Sequence, residues 1–146
     1  MKKQPGATVA DMLQAKAPGA ATIKPTESVA MLARRLQQER LGAMIVSSDG
    51  HTVDGIISER DVAYSLALHR GGLHALPVSA LMTKNVVTCC PQDSLPAVAR
   101  VMAERHIRHL PVVEGAAGDA ASEQLHQRQR VAGPTPSTYI VGITRP

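Results

Sequence analysis

The chain has 146 residues, 44% of them apolar, a formal net charge of +4, and an aromatic content of 1% with two Tyr, no Phe and no Trp. That length buries a real core in one compact domain or two small fused ones, leaving little room for an elaborate enzyme, and the core must be aliphatic. Single-stranded nucleic acid, which needs aromatic platforms for its bases, is disfavoured, and Lys and Arg scattered among acids favour small anions over a polyanion.

Val9 to Leu13 is a short apolar stretch that reads as a lead-in helix. Ala21 to Ile23 follows as a strand, stopped by Pro25. Ser28 then offers its hydroxyl to the free amides of a helix ending near Arg40. Val29, Leu32, Ala33 and Leu36 lie on one face of it, with Arg34, Arg35, Gln37 and Gln38 on the other. Ala43 to Val46 and Val53 to Ile57 are two apolar runs around a turn-rich gap, hence two strands of a hairpin. A second helix is expected from Glu59 to about His69, with Val62, Ala63, Leu66 and Ala67 inward, before Gly71 and Gly72 break it. Residues 71–77 form a linker.

Val78 to Met82 mirrors the lead-in, and the order then repeats: a strand over Val86 to Thr88, a helix over Leu95 to Arg105, a strand over Leu110 to Val113. Thr22-Ile23-Lys24-Pro25-Thr26-Glu27-Ser28, followed by Val29, Leu32, Ala33 and Leu36, returns as Thr88-Cys89-Cys90-Pro91-Gln92-Asp93-Ser94, followed by Leu95, Val98, Ala99 and Met102. A strand end, a proline, a capping serine and a four-position stripe, all matched, indicate two copies of one supersecondary unit. Residues 1–70 are the first with its lead-in and 78–114 the first part of the second. Residues 115–138 are polar, rich in small residues and without amphipathic period, and read as an irregular mobile loop. Residues 139–146 return as the expected last strand, but the sequence stops where a closing helix should start, so copy two is read as incomplete.

The only cysteines, Cys89 and Cys90, are adjacent, and neighbours on a strand point to opposite faces, so neither a disulfide nor a shared metal site is natural. A reducing cytoplasm suits them. The N-terminus lacks a charged-then-apolar signal, and no run nears the roughly 18 apolar residues of a membrane span. The expectation is a cytoplasmic protein with no nucleic-acid or membrane partner.

Strand, Pro-x-x-Ser helix and hairpin strand, then Gly55-Ile56-Ile57-Ser58-Glu59-Arg60-Asp61 and later His109-Leu110-Pro111-Val112-Val113, resemble the cystathionine beta-synthase (CBS) domain, whose tandem pair is called a Bateman module. The resemblance covers residues 9 to 113. It implies an α/β fold of two β-α-β-β-α repeats related by pseudo-two-fold symmetry. It also implies a regulatory sensor that holds an adenosine-containing ligand (AMP, ADP, ATP, NAD(H) or S-adenosylmethionine) between the repeats, forms a homodimer and signals to a protein partner in trans. Apolar Met31, Leu32, Val98 and Met102 could serve that dimer interface instead of the intrachain core. The alternative is a ligand-free dimerisation scaffold.

The motif has a chemistry of its own. Asp61, on the first turn after Ser58, offers a carboxylate that can accept both hydroxyl protons of a ribose. A phosphate would lie near the helix amides with Arg60 beside it. The same Ser58-x-x-Asp61 is also a plain capping box that binds nothing. By resemblance, Val86 and Val87 lie against the adenine and Ile107, His109 and Pro111 form the opposite wall, although Val86, Val87 and Ile107 would equally serve as core. His109 stands where copy one has Ala43, so the fold does not demand a polar ring there. The pseudo-symmetric second site would be walled by Ala20, Ala21, Leu41, Ala43 and Ile45, but Gly142-Ile143-Thr144 departs from the motif, leaving one competent site per chain. A nucleophile and base from Cys89 or Cys90 with His106 and His109 lack a supporting pattern, and Arg105 and Arg108 disfavour a cation, so neither catalysis nor a metal is expected.

Overall fold

The computed structural model describes residues 7–14, 22–50, 52–69, 71–113 and 139–142. The first unit runs α1 (Val9–Gln14), β1 (Thr22–Ile23), α2 (Val29–Glu39), β2 (Ala43–Val46), β3 (Gly55–Ser58) and α3 (Glu59–Ser65). Leu73–Ala75 and Val78–Ala80 then form 3₁₀ turns, followed by α4 (Leu95–Arg105), β4 (His109–Val112) and β5 (Tyr139–Gly142). This is the expected α/β pair of repeats. Ser28 Oγ accepts from Met31 N–H at 3.1 Å and Ser94 Oγ from Ala97 N–H at 3.2 Å, so the two matched serines cap the two matched helices. Both helices also stop the same way, on a residue in the left-handed region, Arg40 at φ 54° and His106 at φ 55°.

In the first sheet β1 pairs parallel with β2, and β2 antiparallel with β3, setting Met44 opposite Ile57. Ile23, Leu32, Leu36, Met44, Val46, Ile57 and Val78 make one buried cluster. In the second sheet β4 pairs antiparallel with β5, His109 opposite Gly142. There Val98, Met102, Leu110, Val112 and Cys89 make the second cluster, together with Val9.

Val9 and Val78 show that the lead-ins are exchanged. The boundary at residue 70 puts Val9 with the first repeat, yet its N–H donates to Asp93 O at 2.9 Å, Ala10 N–H donates to Pro91 O at 2.8 Å, and Leu95 N–H to Ala7 O at 3.0 Å. The mirror contacts are Val78 N–H to Glu27 O at 2.7 Å, Ser79 N–H to Pro25 O at 3.0 Å and Val29 N–H to Leu76 O at 2.9 Å. Each lead-in thus supplies the backbone partners and the apolar plug of the other unit. Further, Thr83 pairs with Ile56 through N–H to O bonds of 3.0 and 2.9 Å, carrying the chain after the linker along β3. Gly55 permits that approach, because a Cβ there would stand 2.9 Å from Thr83 O.

Several local expectations are corrected. Val86 to Thr88 is not a strand; the copy of β1 is reduced to one bridge, Cys89 with Val112. Cys89 N–H donates to Pro111 O and Val113 N–H to Cys89 O, but the next bond of a parallel ladder would need an N–H on Pro111, which has none. The hairpin strand starts at Gly55 rather than Val53, and α3 ends at Ser65 rather than near His69. Only Val62 of its predicted inner face packs on the core; Leu66 follows the helix and is 63% exposed, and Ala63 and Ala67 are exposed too. On α2, Ala33 is exposed beside the buried Leu32 and Leu36. Leu32, Val98 and Met102 are buried in the intrachain cores, which leaves Met31 as the exposed member of the proposed interface set. Within the linker, Leu73 in its 3₁₀ turn is buried. The segment read as a mobile loop, 115–138, lies outside the described residues. Among the described residues no helix is long and apolar enough to cross a membrane.

Candidate functional site

β3 ends on Ser58 and α3 starts at Glu59, so strand and helix meet without a loop and project the first turn of α3 toward the second unit. Across from it lie the extended chain before Cys89 and the turn from α4 into β4. The space between is a cleft of about 630 Å³. Ser58, Arg60 and Asp61 line one side, and Val86, Val87, Ile107 and His109 the other. Pro111 does not line it. Two residues along β4 from His109, and so roughly 6–7 Å further in, it is buried behind the cleft wall.

Asp61 makes the cap read from the motif and keeps an oxygen in reserve. Its Oδ2 accepts from Ser58 N–H at 2.8 Å and from Ser58 Oγ at 3.1 Å, while Asp61 N–H donates to Ser58 Oγ at 3.4 Å, a complete capping box. Oδ1 takes no hydrogen bond among the described residues, and the half-buried carboxylate faces the cleft. Capping therefore consumes one oxygen and leaves the other. The phosphate expectation at the helix amides fares differently: Glu59 N–H is committed to Gly42 O at 3.0 Å and Asp61 N–H to Ser58. Arg60 Nη1 donates to His106 O at 3.3 Å, a contact from the first unit to the cap of α4 in the second. The arginines lining the cleft are Arg60 and Arg108, and His106 and His109 line it with them.

His109 and Glu59 crowd around Gly42, where a Cβ would stand 3.2 Å from His109 Nε2 and 3.1 Å from Glu59 Oε1. Burial lowers the imidazole pKa below its ordinary value; Glu59 opposes this, and Arg108 and Arg60 add to it. A base with a depressed folded pKa leaves the unfolded chain binding more protons below about pH 6.5, so its contribution to stability falls as pH falls through that range. Wild type is expected to lose more thermal stability than His109→Gln between pH 7.5 and 5.5, and parallel pH profiles would contradict the lowered pKa.

Sequence reasoning missed Gly42, Glu59, Tyr64, Thr83, Asn85, His106 and Arg108 as lining residues. Tyr64 was within reach, being one helical turn beyond Asp61 on the same face. Thr83 and Asn85 gave no periodic signal. Of the second site, Ala43 and Ile45 are fully buried, Leu41 packs against the first core, and Ala20 and Ala21 lie outside the described residues. Cys89 is buried, and burial, with Asp93 and Cys90 nearby, pushes its thiol pKa up to about 12, which suits packing rather than nucleophilic attack. Among the described residues no group of three or more His, Cys, Asp or Glu is placed to hold a metal.

Residues 9–68 and 78–118 match the CBS domain, one segment for each unit. The chain belongs to the CBS-domain family. As a tandem CBS pair it is similar to the CBS domain-containing protein YhcV of Bacillus subtilis, 32% identical over 113 residues that span 72% of this chain and 79% of that protein. It is also similar in structure to the CBS-domain protein ATU1752 of Agrobacterium tumefaciens, with a TM-score of 0.72, 31% identity and coverage of 83% and 90% of the two chains. The CBS domain pair of protein MJ0100, solved with 5′-methylthioadenosine and S-adenosyl-L-methionine, shares the fold at a TM-score of 0.65 and 22% identity, over 79% of this chain and 89% of that one.

Proposed function

We propose that this CBS pair is a regulatory module that binds an adenosine-containing nucleotide in the cleft between its repeats and passes occupancy to a protein partner in trans. The observation that carries the reading is Asp61, which lines a cleft shared by both units and keeps Oδ1 left over from the capping box. In this reading Asp61 accepts from the ribose hydroxyls, Val86, Val87 and Ile107 cover the adenine, and Arg60, Arg108 and His109 face the phosphate side. AMP, ADP, ATP, NAD(H) and S-adenosylmethionine all present the same adenosine to that grip, and the MJ0100 pair was solved with two adenosine compounds. The module acts as a homodimer, for which exposed Met31, Leu66 and Leu68 supply apolar contact surface. One observation favours the ligand-free scaffold instead: the capping box by itself accounts for Ser58 and Asp61.

A thermal-shift panel of those ligands separates the two. A ligand at 100 times its Kd adds about 2.7 kcal/mol and should raise the midpoint by about 5–10 °C. A flat response to every member would leave the scaffold.

A further inference from the structure

The second-unit wall of the cleft carries an aliphatic patch of Val86, Val87 and Ile107 beside the polar His106, Arg108 and His109. Its aromatic lining residue, Tyr64, stands on the opposite side and is 69% exposed. In a chain with two Tyr and no Phe or Trp, one Tyr is set at the ligand cleft with its ring largely uncovered. Asp61 and Tyr64 are three apart on α3, so their Cβ atoms are about 5–6 Å apart on one face. A nucleoside whose sugar is held at Asp61 carries its base one sugar-width away, within reach of that ring. Few other contacts compete for the phenol, since Tyr64 adds little to either core.

We propose that Tyr64 stacks on the nucleobase and presses it against Val86 and Val87, so that the cleft selects its ligand by a flat base as well as by the ribose. This rests on the nucleotide reading above. It assigns the base a position between the two units, with one face on an aromatic ring from the first and the other on aliphatic side chains from the second. The phenol hydroxyl is not required.

AMP and 5′-methylthioadenosine, titrated by calorimetry and by fluorescence, test the assignment. The chain has no Trp, so in a Tyr139→Phe background tyrosine emission reports Tyr64 alone. Either ligand is expected to quench that emission with the Kd found by calorimetry. In the otherwise wild-type chain Tyr64→Ala should weaken both by roughly 5- to 100-fold while Tyr64→Phe keeps wild-type affinity, and both variants keep the wild-type melting temperature. Ribose 5-phosphate, which lacks a base, should produce no quenching. Binding of either ligand with equal affinity to wild type and Tyr64→Ala, without quenching, would overturn the stacking and leave the nucleotide reading intact. Binding of neither ligand to wild type would overturn both.

Discussion

Asp61→Asn is expected to weaken adenosine-ligand binding by about 10- to 100-fold, the roughly 1.5–3 kcal/mol of a hydrogen bond to a charged group. Asparagine keeps an oxygen that can accept from Ser58 N–H, as Oδ2 does now at 2.8 Å, so the helix start should survive. Asp61→Ala removes that acceptor as well. It should lose the same affinity and in addition about 0.5–2 kcal/mol of stability, the usual cost of a lost cap. Calorimetry and urea denaturation on the two variants separate the ligand role from the cap: a stability loss in Asp61→Ala with unchanged affinity in both would return Asp61 to a purely structural part.

The largest stability effect is expected from Val9→Asp. Val9 is completely buried among Cys89, Val98, Met102, Leu110 and Val112, although nearly the whole first repeat separates it from them in sequence. An unpaired carboxylate there should cost about 3–5 kcal/mol. The loss should fall on the second unit first, because the lead-in plugs that core. Hydrogen exchange is the measurement: amides of Leu110 and Val112 should lose protection before those of Met44 and Ile57. Equal loss in both units, or loss in the first alone, would contradict the exchanged packing.

The repeat was legible because capping and helical periodicity are local. Ser28 and Ser94 cap as their spacing requires, and Leu32, Leu36, Val98 and Met102 are buried where their stripes put them. Ser58 and Asp61 were equally readable as a cap, and the cap occupies Oδ2 alone, so it does not conflict with a ligand role for Oδ1. What escaped was non-local. Nothing around Val9 tells which core it enters, since an apolar lead-in fits either repeat. The strand at Val86 to Thr88 failed because of Pro111, a residue whose missing N–H matters only once β4 lies alongside. Pro111 was misjudged as a cleft wall because its burial behind His109 depends on how β4 packs. Arg60 was read for its charge alone, and its contact with His106 O appears only when the two units face each other. The exposed Leu66 was mistaken for core because α3 stops a turn earlier than its apolar residues suggest.

The grip of Asp61 on a ribose is tested most directly by a calorimetric cycle that pairs wild type and Asp61→Asn with AMP and its 2′,3′-dideoxy analogue. If the carboxylate holds the diol, wild type should prefer AMP over the analogue by about 10- to 100-fold, and Asp61→Asn should bind the two nearly alike. An undiminished preference in Asp61→Asn, or no preference in wild type, would contradict the account.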